Sequence, residues 1–336
     1  MDFLRRLFSL KRTKMVDEAA YNHIPTPMGR SILHFVVVAI IASLLVGILQ
    51  SIPIFIYLMT DKGILKSITV YLYGDGTMED YANAVELAIF NMPPWVQVAS
   101  LFISSAYVLV AIFYCKKYEK RGISSMGIRK NGFLPEFLIG YLIGAGMLVA
   151  SLLFAYATRG VDILWSSISF EPIIILFFLA FIFQAFGEEM LFRGYFMTSV
   201  ARDYRPAVAV AVSSVAFSLM HLGNSGVGIL SILNTFLMGF FLGAYVFKRG
   251  SIVGATAIHA AWNFVQGNVF GVSVSGMNVM PSVIKVTPIN NLALLSGGTY
   301  GIEGGLCATV IIIIATVLLL LTKTKNTEIS DFEVNF

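Results

Sequence analysis

The chain has 336 residues, of which 57% are hydrophobic and 12% are charged, with a mean hydropathy of +0.81 and a formal net charge of +4. A soluble domain is usually about 45–50% apolar and about 25% charged, so this composition excludes an ordinary soluble domain and an intrinsically disordered chain. Two cysteines, Cys115 and Cys307, lie next to or inside apolar runs and give no disulfide framework.

Eight apolar segments are candidates for membrane-spanning helices, each of which takes about 20 mostly apolar residues. In chain order they cover residues 32–59, 96–115, 134–157, 172–200, 207–222, 227–247, 252–270 and 306–321. We expect Pro53 to kink or end the first span, and two glutamates interrupt the fourth. The sequence therefore predicts an all-α polytopic membrane protein with about eight transmembrane helices, in which spans three to seven form a core bundle.

Lysine and arginine residues are unevenly distributed between the loops. Nineteen of the 23 are assigned to the cytoplasmic side: they fall before the first span, after the last, or around the loops that follow the second, fourth and sixth spans, with Arg193 in the last part of the fourth span counted among them. The other four are Lys62, Lys66, Arg159 and Lys285. Because cytoplasmic loops are enriched in these residues, both termini are expected to be cytoplasmic. The lack of long eukaryotic-style extensions favours a prokaryotic plasma membrane.

The spans divide the chain into five regions. These are a cytoplasmic basic segment (1–31), two N-terminal spans with an acidic outer loop (32–121), a helical bundle (122–270), an extracytoplasmic loop (271–305), and a last span with a short cytoplasmic tail (306–336). The basic stretch MDFLRRLFSLKR at the start of the chain sets the topology in one interpretation. In the other it forms a short amphipathic helix that lies on anionic lipid.

Three clusters of polar residues interrupt the apolar spans. They are Glu188, Glu189 and Arg193 in the fourth span, His221 at the end of the fifth, and His259 with Asn263 in the seventh. With a rise of about 1.5 Å per residue, they lie about 15–24 Å from the basic residues that mark the helix ends. Such groups are costly at membrane depth and usually face the bundle interior. A buried pair can also simply tie helices together, but three clusters at similar depth favour one polar site.

The spacing within each cluster supports a shared site. Glu189 and Arg193 are four residues apart, as are His259 and Asn263, so both members of each pair lie on one helix face. Gly187 leaves room for another helix or a substrate backbone. A glutamate or a histidine can activate water, while a histidine and an asparagine can donate hydrogen bonds to an oxyanion. These residue types therefore suit amide hydrolysis without a serine or cysteine nucleophile.

The same residues carry a family resemblance. GEEMLFRG resembles the E-E-x-x-x-R motif of the CPBP family, which contains the CAAX proteases and bacteriocin-processing enzymes and is also called the Abi family. Phe217 and His221 match its F-x-x-x-H motif, and His259 and Asn263 match its H-x-x-x-N/D motif. SSMGIRK, before the third span, is similar to a common pre-core element. The resemblance covers about residues 122–270 and implies that this region is the catalytic helical bundle.

The resemblance implies a glutamate-dependent intramembrane endopeptidase that needs no cofactor. Its substrate is expected to be a membrane-associated peptide or protein in the lipid bilayer, with no role for nucleic acid. The implied roles are Glu188 as the base for the attacking water, His221 as its assistant, Glu189 and Arg193 as ordering residues, and His259 and Asn263 as the oxyanion hole. The resemblance does not choose between peptide maturation, signalling and bacteriocin immunity, and the oligomeric state stays open.

Three alternatives stay open at this stage. A zinc-dependent protease could use the same glutamates and histidines, although H-E-x-x-H is absent and Arg193 argues against a cation. A rhomboid-like serine protease could use Ser225 in the G-x-S-G match at 223–226, but His259 lacks the expected following glycines. A transporter or a non-catalytic scaffold or immunity protein is the third alternative, and a transporter would favour an internal repeat, which is not apparent.

Overall fold

The computed structural model of the chain is mostly helical. It describes residues 10–21, 23–74, 76–90, 92–129, 131–165, 168–289 and 292–322. Its α-helices, numbered in chain order, are α1 (Lys14–Ala20), α2 (Met28–Thr60), α3 (Lys62–Tyr73), α4 (Met78–Phe90), α5 (Pro94–Ser104), α6 (Tyr107–Lys117), α7 (Phe133–Ala157), α8 (Ile173–Glu189), α9 (Thr198–Ala201), α10 (Pro206–Met220), α11 (Ile229–Arg249), α12 (Val253–Phe264), α13 (Ala293–Ser296) and α14 (Leu306–Leu321). Two π-helical segments, Met190–Met197 after α8 and Val265–Val269 after α12, extend these helices.

The predicted spans correspond to helices of the structure. Within the described residues, five helical stretches are long and apolar enough to cross a membrane: Met28–Thr60, Pro94–Lys117, Phe133–Ala157, Ile173–Ala201 and Ile229–Arg249. The fifth and eighth predicted spans are the shorter apolar helices α10 and α14, and the seventh is α12 with its π-helical extension. The first helix continues past Pro53, so this proline does not end the span. The chain is an all-α polytopic membrane protein, as predicted.

The loops contain structure that the hydropathy pattern does not predict. Helices α3 and α4 lie in the acidic outer loop, and α3 is preceded by Asp61, whose carboxylate caps the helix by accepting the Ile64 N–H at 3.0 Å. Strand β1 (Val161–Leu164) pairs antiparallel with β2 (Lys285–Pro288), so that Val161 lies opposite Pro288. This small sheet joins the α7–α8 connection to the loop 271–305.

Small residues let α12 pack closely against its neighbours. A Cβ atom at Gly144 of α7 would overlap the carbonyl oxygen of Ile258, which precedes His259 on α12. Gly187 makes a similar contact between α8 and α5, because a Cβ atom there would lie 2.7 Å from the carbonyl oxygen of Ser104. Close backbone approach at small residues is typical of membrane helix pairs. These contacts bring α7 close to α12 and α5 close to α8, next to the helix turns that carry His259 and Glu188.

The described part of the N-terminal segment packs on the protein. Leu10 is buried, and Arg12 Nη1 donates to the carbonyl oxygen of Arg202 at 3.3 Å. His23 Nε2 lies 2.9 Å from a carboxylate oxygen of Asp203. The lipid-surface interpretation of the basic stretch falls mainly on residues 1–9, which lie outside the described residues.

A buried ionic cluster connects the loop after α6 with α9 and the start of the next loop. Glu119 accepts hydrogen bonds from Arg121 Nε at 2.6 Å, from Arg202 Nη2 at 2.6 Å and from Ser199 Oγ at 2.9 Å. Arg121 Nη2 also donates to the carbonyl oxygen of Tyr195 in the π-helical segment at 3.2 Å. Burial alone would raise the pKa of Glu119, but the two guanidinium groups outweigh it and hold this pKa below its usual range. We call Glu119, Arg121, Ser199 and Arg202 the Glu119 cluster.

Candidate active site

The two adjacent glutamates at the end of α8 have different surroundings. Glu189 Oε1 accepts a hydrogen bond from Arg193 Nη1 at 2.8 Å, and neither side chain has any exposed surface. Glu188 is 18% exposed, and its Oε1 accepts from Gln184 Nε2 at 2.6 Å. Consecutive residues on an α-helix point about 100° apart, given 3.6 residues per turn. One carboxylate is therefore held in a buried ion pair while the other faces a cavity.

Arg193 joins three helices behind the carboxylates. It lies in the π-helical segment after α8, and its Nη2 donates to the carbonyl oxygen of Gly239 on α11 at 3.0 Å. Its guanidinium carbon lies 4.5 Å from the centre of the Phe217 ring on α10. This cation–π contact places the positive charge against the negative face of the ring. The arginine thus fixes Glu189 relative to α10 and α11.

His259 lies between the two carboxylates. Its Nδ1 is 3.1 Å from Glu189 Oε1, and its Nε2 is 3.8 Å from Glu188 Oε2. The ring also stands edge-on to Phe217, with ring centres 6.0 Å apart. Because the close approach of the ring is to Glu189, that carboxylate orients the imidazole, and Nε2 is left facing Glu188.

Asn263 lies one turn after His259 and reaches the other glutamate through a second amide. Its Nδ2 donates to Gln184 Oε1 at 3.2 Å, and Gln184 in turn donates to Glu188. The motif analysis did not include Gln184. Its position four residues before Glu188 on an apolar helix is the signal that identifies it, because a polar residue at this depth is expected to face the same interior site.

His221 is the first residue after α10 and is held by its own helix. Its Nδ1 lies 2.7 Å from the carbonyl oxygen of Phe217, which can only accept, so Nδ1 carries a proton. The rings of Phe217 and His221 are 4.7 Å apart. In the neutral ring this leaves Nε2 as the atom with a free lone pair.

These side chains surround a cavity of about 450 Å³, within the range of about 300–1,000 Å³ that is typical of ligand sites. Four of the six predicted residues line it, and Glu189 and Arg193 lie behind its wall. Those four are Glu188, His221, His259 and Asn263. The structure thus brings together residues from α8, α10 and α12 that the sequence separates.

Further lining residues come from regions that the motif analysis left out. They are Gln50 and Tyr107 from the two N-terminal spans, the turn residues 223–225, and residues 274–277 of the outer loop. Gln50 is fixed by a hydrogen bond from its Nε2 to Ser104 Oγ at 3.0 Å. No sequence motif marks these positions, because they reach the site only through the packing of distant segments.

The site keeps buried polar atoms without partners. Among the described residues, Glu188 Oε2, Glu189 Oε2 and Arg193 Nε are buried and make no hydrogen bond. A buried unsatisfied polar atom costs about 1–3 kcal/mol, and native proteins keep few of them. Their concentration here is typical of a site that is arranged for chemistry rather than for stability.

The geometry bears on two of the alternatives. Within the described residues, no group of three or more His, Cys, Asp or Glu side chains is arranged to hold a metal ion. Ser225 lines the cavity, but the two histidine Nδ1 atoms contact Phe217 and Glu189 rather than its hydroxyl. A serine nucleophile needs a base within hydrogen-bond reach.

Comparison with known proteins supports the motif resemblance. Residues 169–265 match the model of a family described as type II CAAX prenyl endopeptidase Rce1-like. The match includes all six predicted site residues, and the first three spans, the loop 271–305 and the last span lie outside it. No curated protein matches the chain significantly. Residues 169–265 are thus similar to the Rce1-like domain of the CPBP/CAAX protease family, and this similarity points to an intramembrane protease.

Proposed function

We propose that the chain is an endopeptidase that hydrolyses a peptide bond of a membrane-associated protein or peptide with a glutamate-activated water. The observation that carries the proposal is the position of Glu188. Its carboxylate lines the cavity, one of its oxygens has no hydrogen-bond partner among the described residues, and His259 Nε2 lies 3.8 Å from that oxygen. A water on this oxygen would lose its proton to Glu188 as it attacks the carbonyl carbon.

The remaining residues have complementary roles in this proposal. His221, with Nε2 free, assists in orienting the water. His259 Nε2 and the Asn263 amide stabilise the developing oxyanion, a contribution of about 10²–10³-fold in kcat per donor. A donor role for His259 Nε2 requires a doubly protonated ring, whose charge the neighbouring Glu189 balances. Glu188 then returns the proton to the leaving amine.

Glu189 and Arg193 act as positioning residues. Neither residue lines the cavity, and Glu189 Oε1 holds both the guanidinium and the imidazole. Their ion pair therefore fixes the orientation of His259 relative to Glu188. The charge distribution supports an orientation with both termini in the cytoplasm, which is part of this proposal.

The experiment is a Glu188→Gln exchange in the full chain. Membrane and secreted peptides of cells that make the wild-type chain are compared by mass spectrometry with those of cells that make the variant, and the differing peptide is then given to the purified proteins. We expect cleavage to fall by at least about 10²–10⁴-fold, the contribution of a positioned general base. His221→Ala should lower turnover less.

The matched control is Glu171→Gln, the same exchange at an exposed position just before α8. It should cleave like the wild type. Melting temperatures in detergent check that Glu188→Gln is folded. Wild-type turnover by folded Glu188→Gln would refute the base assignment, and unchanged biological activity of that variant would favour a scaffold.

A further inference from the structure

Among the described residues, the loops that line the cavity lie at one end of the helical bundle. Its described loop lining comes from residues 223–225, which join α10 to α11, and from residues 274–277, which follow the π-helical extension of α12. Both α10 and α12 begin beside basic residues, Arg205 and Arg249 respectively. Because basic loops mark the cytoplasmic side, the loop-lined end of the cavity lies on the opposite side.

Protein closes the cytoplasmic side of the site. Behind Glu188, the side chains of Glu189 and Arg193 have no exposed surface. All residues of the π-helical segment Met190–Met197 are buried, and the Glu119 cluster lies beyond them. A peptide on the cytoplasmic side therefore meets packed side chains, while the outer end carries exposed residues such as Ser225 and Met277.

The outer rim is a built hairpin. Val274 and Met277 exchange two backbone hydrogen bonds of 2.8 Å. The two residues between them, Ser275 and Gly276, have φ values of 49° and 82°. Positive φ at both central residues is the requirement of a type I′ turn. The glycine also packs directly on the backbone of Ser225, so the hairpin and the turn 223–226 together form the edge of the opening.

Glu303 ties this rim to the catalytic helix. Its Oε1 accepts hydrogen bonds from the backbone N–H of Ser275 and, at 3.0 Å, from the Ser275 hydroxyl. Its Oε2 accepts from Trp262 Nε1 at 3.3 Å, and Trp262 lies next to Asn263 on α12. Gly276 N–H donates to the carbonyl oxygen of Tyr300 at 2.9 Å. The rim is thus held in place by the loop 271–305, outside the matched domain.

The chemistry of the opening fits a polypeptide backbone. Asn224, Ser225 and Ser275 offer neutral amide and hydroxyl groups, which can bind peptide N–H and C=O groups. Met220 and Met277 are exposed, flexible apolar side chains, which adapt to varied neighbours. The acidic and basic residues of the described lining are Glu188, His221 and His259, which belong to the proposed site.

On the basis of the proposed protease function, we propose that the substrate is an extracytoplasmic polypeptide segment that enters between the turn 223–226 and the hairpin 274–277. A cytoplasmic C-terminal tail, prenylated or not, is then excluded as the substrate class. The loop 271–305 forms one wall of the entrance and contributes to substrate choice.

The test uses single cysteine substitutions in the full chain, which keeps its own two cysteines. Ser225→Cys and Met277→Cys place a thiol on the rim, and Arg205→Cys places one at an exposed position before α10. Intact cells are treated with a membrane-impermeant methanethiosulfonate that carries a trimethylammonium group. Both rim thiols should react from outside, and Arg205→Cys should react only after permeabilisation. The unsubstituted chain, whose Cys115 and Cys307 are buried, gives the background.

The same variants then report on entry. Cleavage by each rim variant is compared before and after treatment, and the attached cation should lower it at least about tenfold by obstructing the opening. The proposal would be overturned if the rim thiols reacted only after permeabilisation. It would also be overturned if the fully labelled rim variants cleaved as well as the unlabelled ones. Failure of the protease function itself is separate, because it appears as wild-type turnover by Glu188→Gln while the labelling pattern is unaffected.

Discussion

Two buried glutamate–arginine groups in this chain use the same chemistry to different ends. In the Glu119 cluster, one carboxylate receives hydrogen bonds from two guanidinium groups and from the Ser199 hydroxyl. In the group formed by Glu188, Glu189 and Arg193, each residue has a buried polar atom without a hydrogen-bond partner among the described residues. Glu188 of the second group lines the cavity of about 450 Å³, whereas no member of the Glu119 cluster does. Satisfied buried charges indicate a structural role, whereas partly unsatisfied ones beside a cavity indicate chemistry.

The largest effect that sharpens this contrast is expected from Glu189→Gln. The exchange leaves the Arg193 guanidinium buried without a counter-charge, which costs about 3–5 kcal/mol, and it weakens the group that orients His259. We therefore expect a lower melting temperature in detergent together with a loss of turnover of about 10²-fold or more. Cleavage per folded molecule is measured beside Glu171→Gln. If the variant loses stability but keeps its turnover, the proposed positioning role of Glu189 and Arg193 is refuted.

The second expected effect is on stability alone. Glu119→Gln leaves Arg121 and Arg202 without their carboxylate, so the melting temperature should fall, with a cost of about 3–5 kcal/mol. Cleavage per folded molecule should stay at the wild-type value, because this cluster does not line the cavity. The exposed Glu79→Gln is the matched control for the exchange. Loss of turnover comparable to that of Glu189→Gln would erase the distinction between the two groups.

The loss of stability in Glu119→Gln is expected to depend on pH. The pKa of Glu119 is lower in the folded chain than its usual value, so the ionised carboxylate contributes stability at pH values above the unfolded pKa of about 4.3. That contribution is lost as the pH falls through the folded pKa. The difference in melting temperature between wild type and Glu119→Gln should therefore narrow below about pH 4. A difference that widens on acidification would contradict the sign.

The smallest effect is expected from a metal chelator. Arg193 donates to Glu189 and lies over the Phe217 ring. Its positive charge therefore already neutralises this carboxylate and would repel a metal cation placed beside it. Turnover should be unchanged by a chelator, with the zinc-saturated chelator as control. Loss of activity that zinc restores would establish the zinc-dependent alternative.

Much of the helical fold was predictable because each span can be recognised from its own run of apolar residues. The apolar runs gave the positions of the spans, and the depth of His221, His259 and Glu188 indicated that three helices carry polar groups to one level. The i,i+4 spacing also predicted the contact between Glu189 and Arg193, which the structure contains. These inferences need only helix geometry and the cost of burying charge.

The remaining features depend on contacts between distant segments. The pairing of Val161 with Pro288 joins two loops separated by most of the bundle, and neither strand has a strong local pattern. Glu303 resembles any loop carboxylate in the sequence, and only the folded chain places it under Ser275 and beside Trp262. Gln50 and Tyr107 reach the cavity because the N-terminal spans pack on α8, which no motif records. The roles of the six site residues stay predictions.

The π-helical segment Met190–Met197 has a consequence for the angular phase of its helix. A π turn bonds residue i to i+5 and so accommodates an extra residue, whereas each α-helical residue advances by about 100°. The helix halves on either side can therefore face different partners: Glu188 turns to the cavity, and Ser199 turns to Glu119. Deletion of one residue from this segment would bring the halves back into step, and the chain could no longer satisfy both orientations at once.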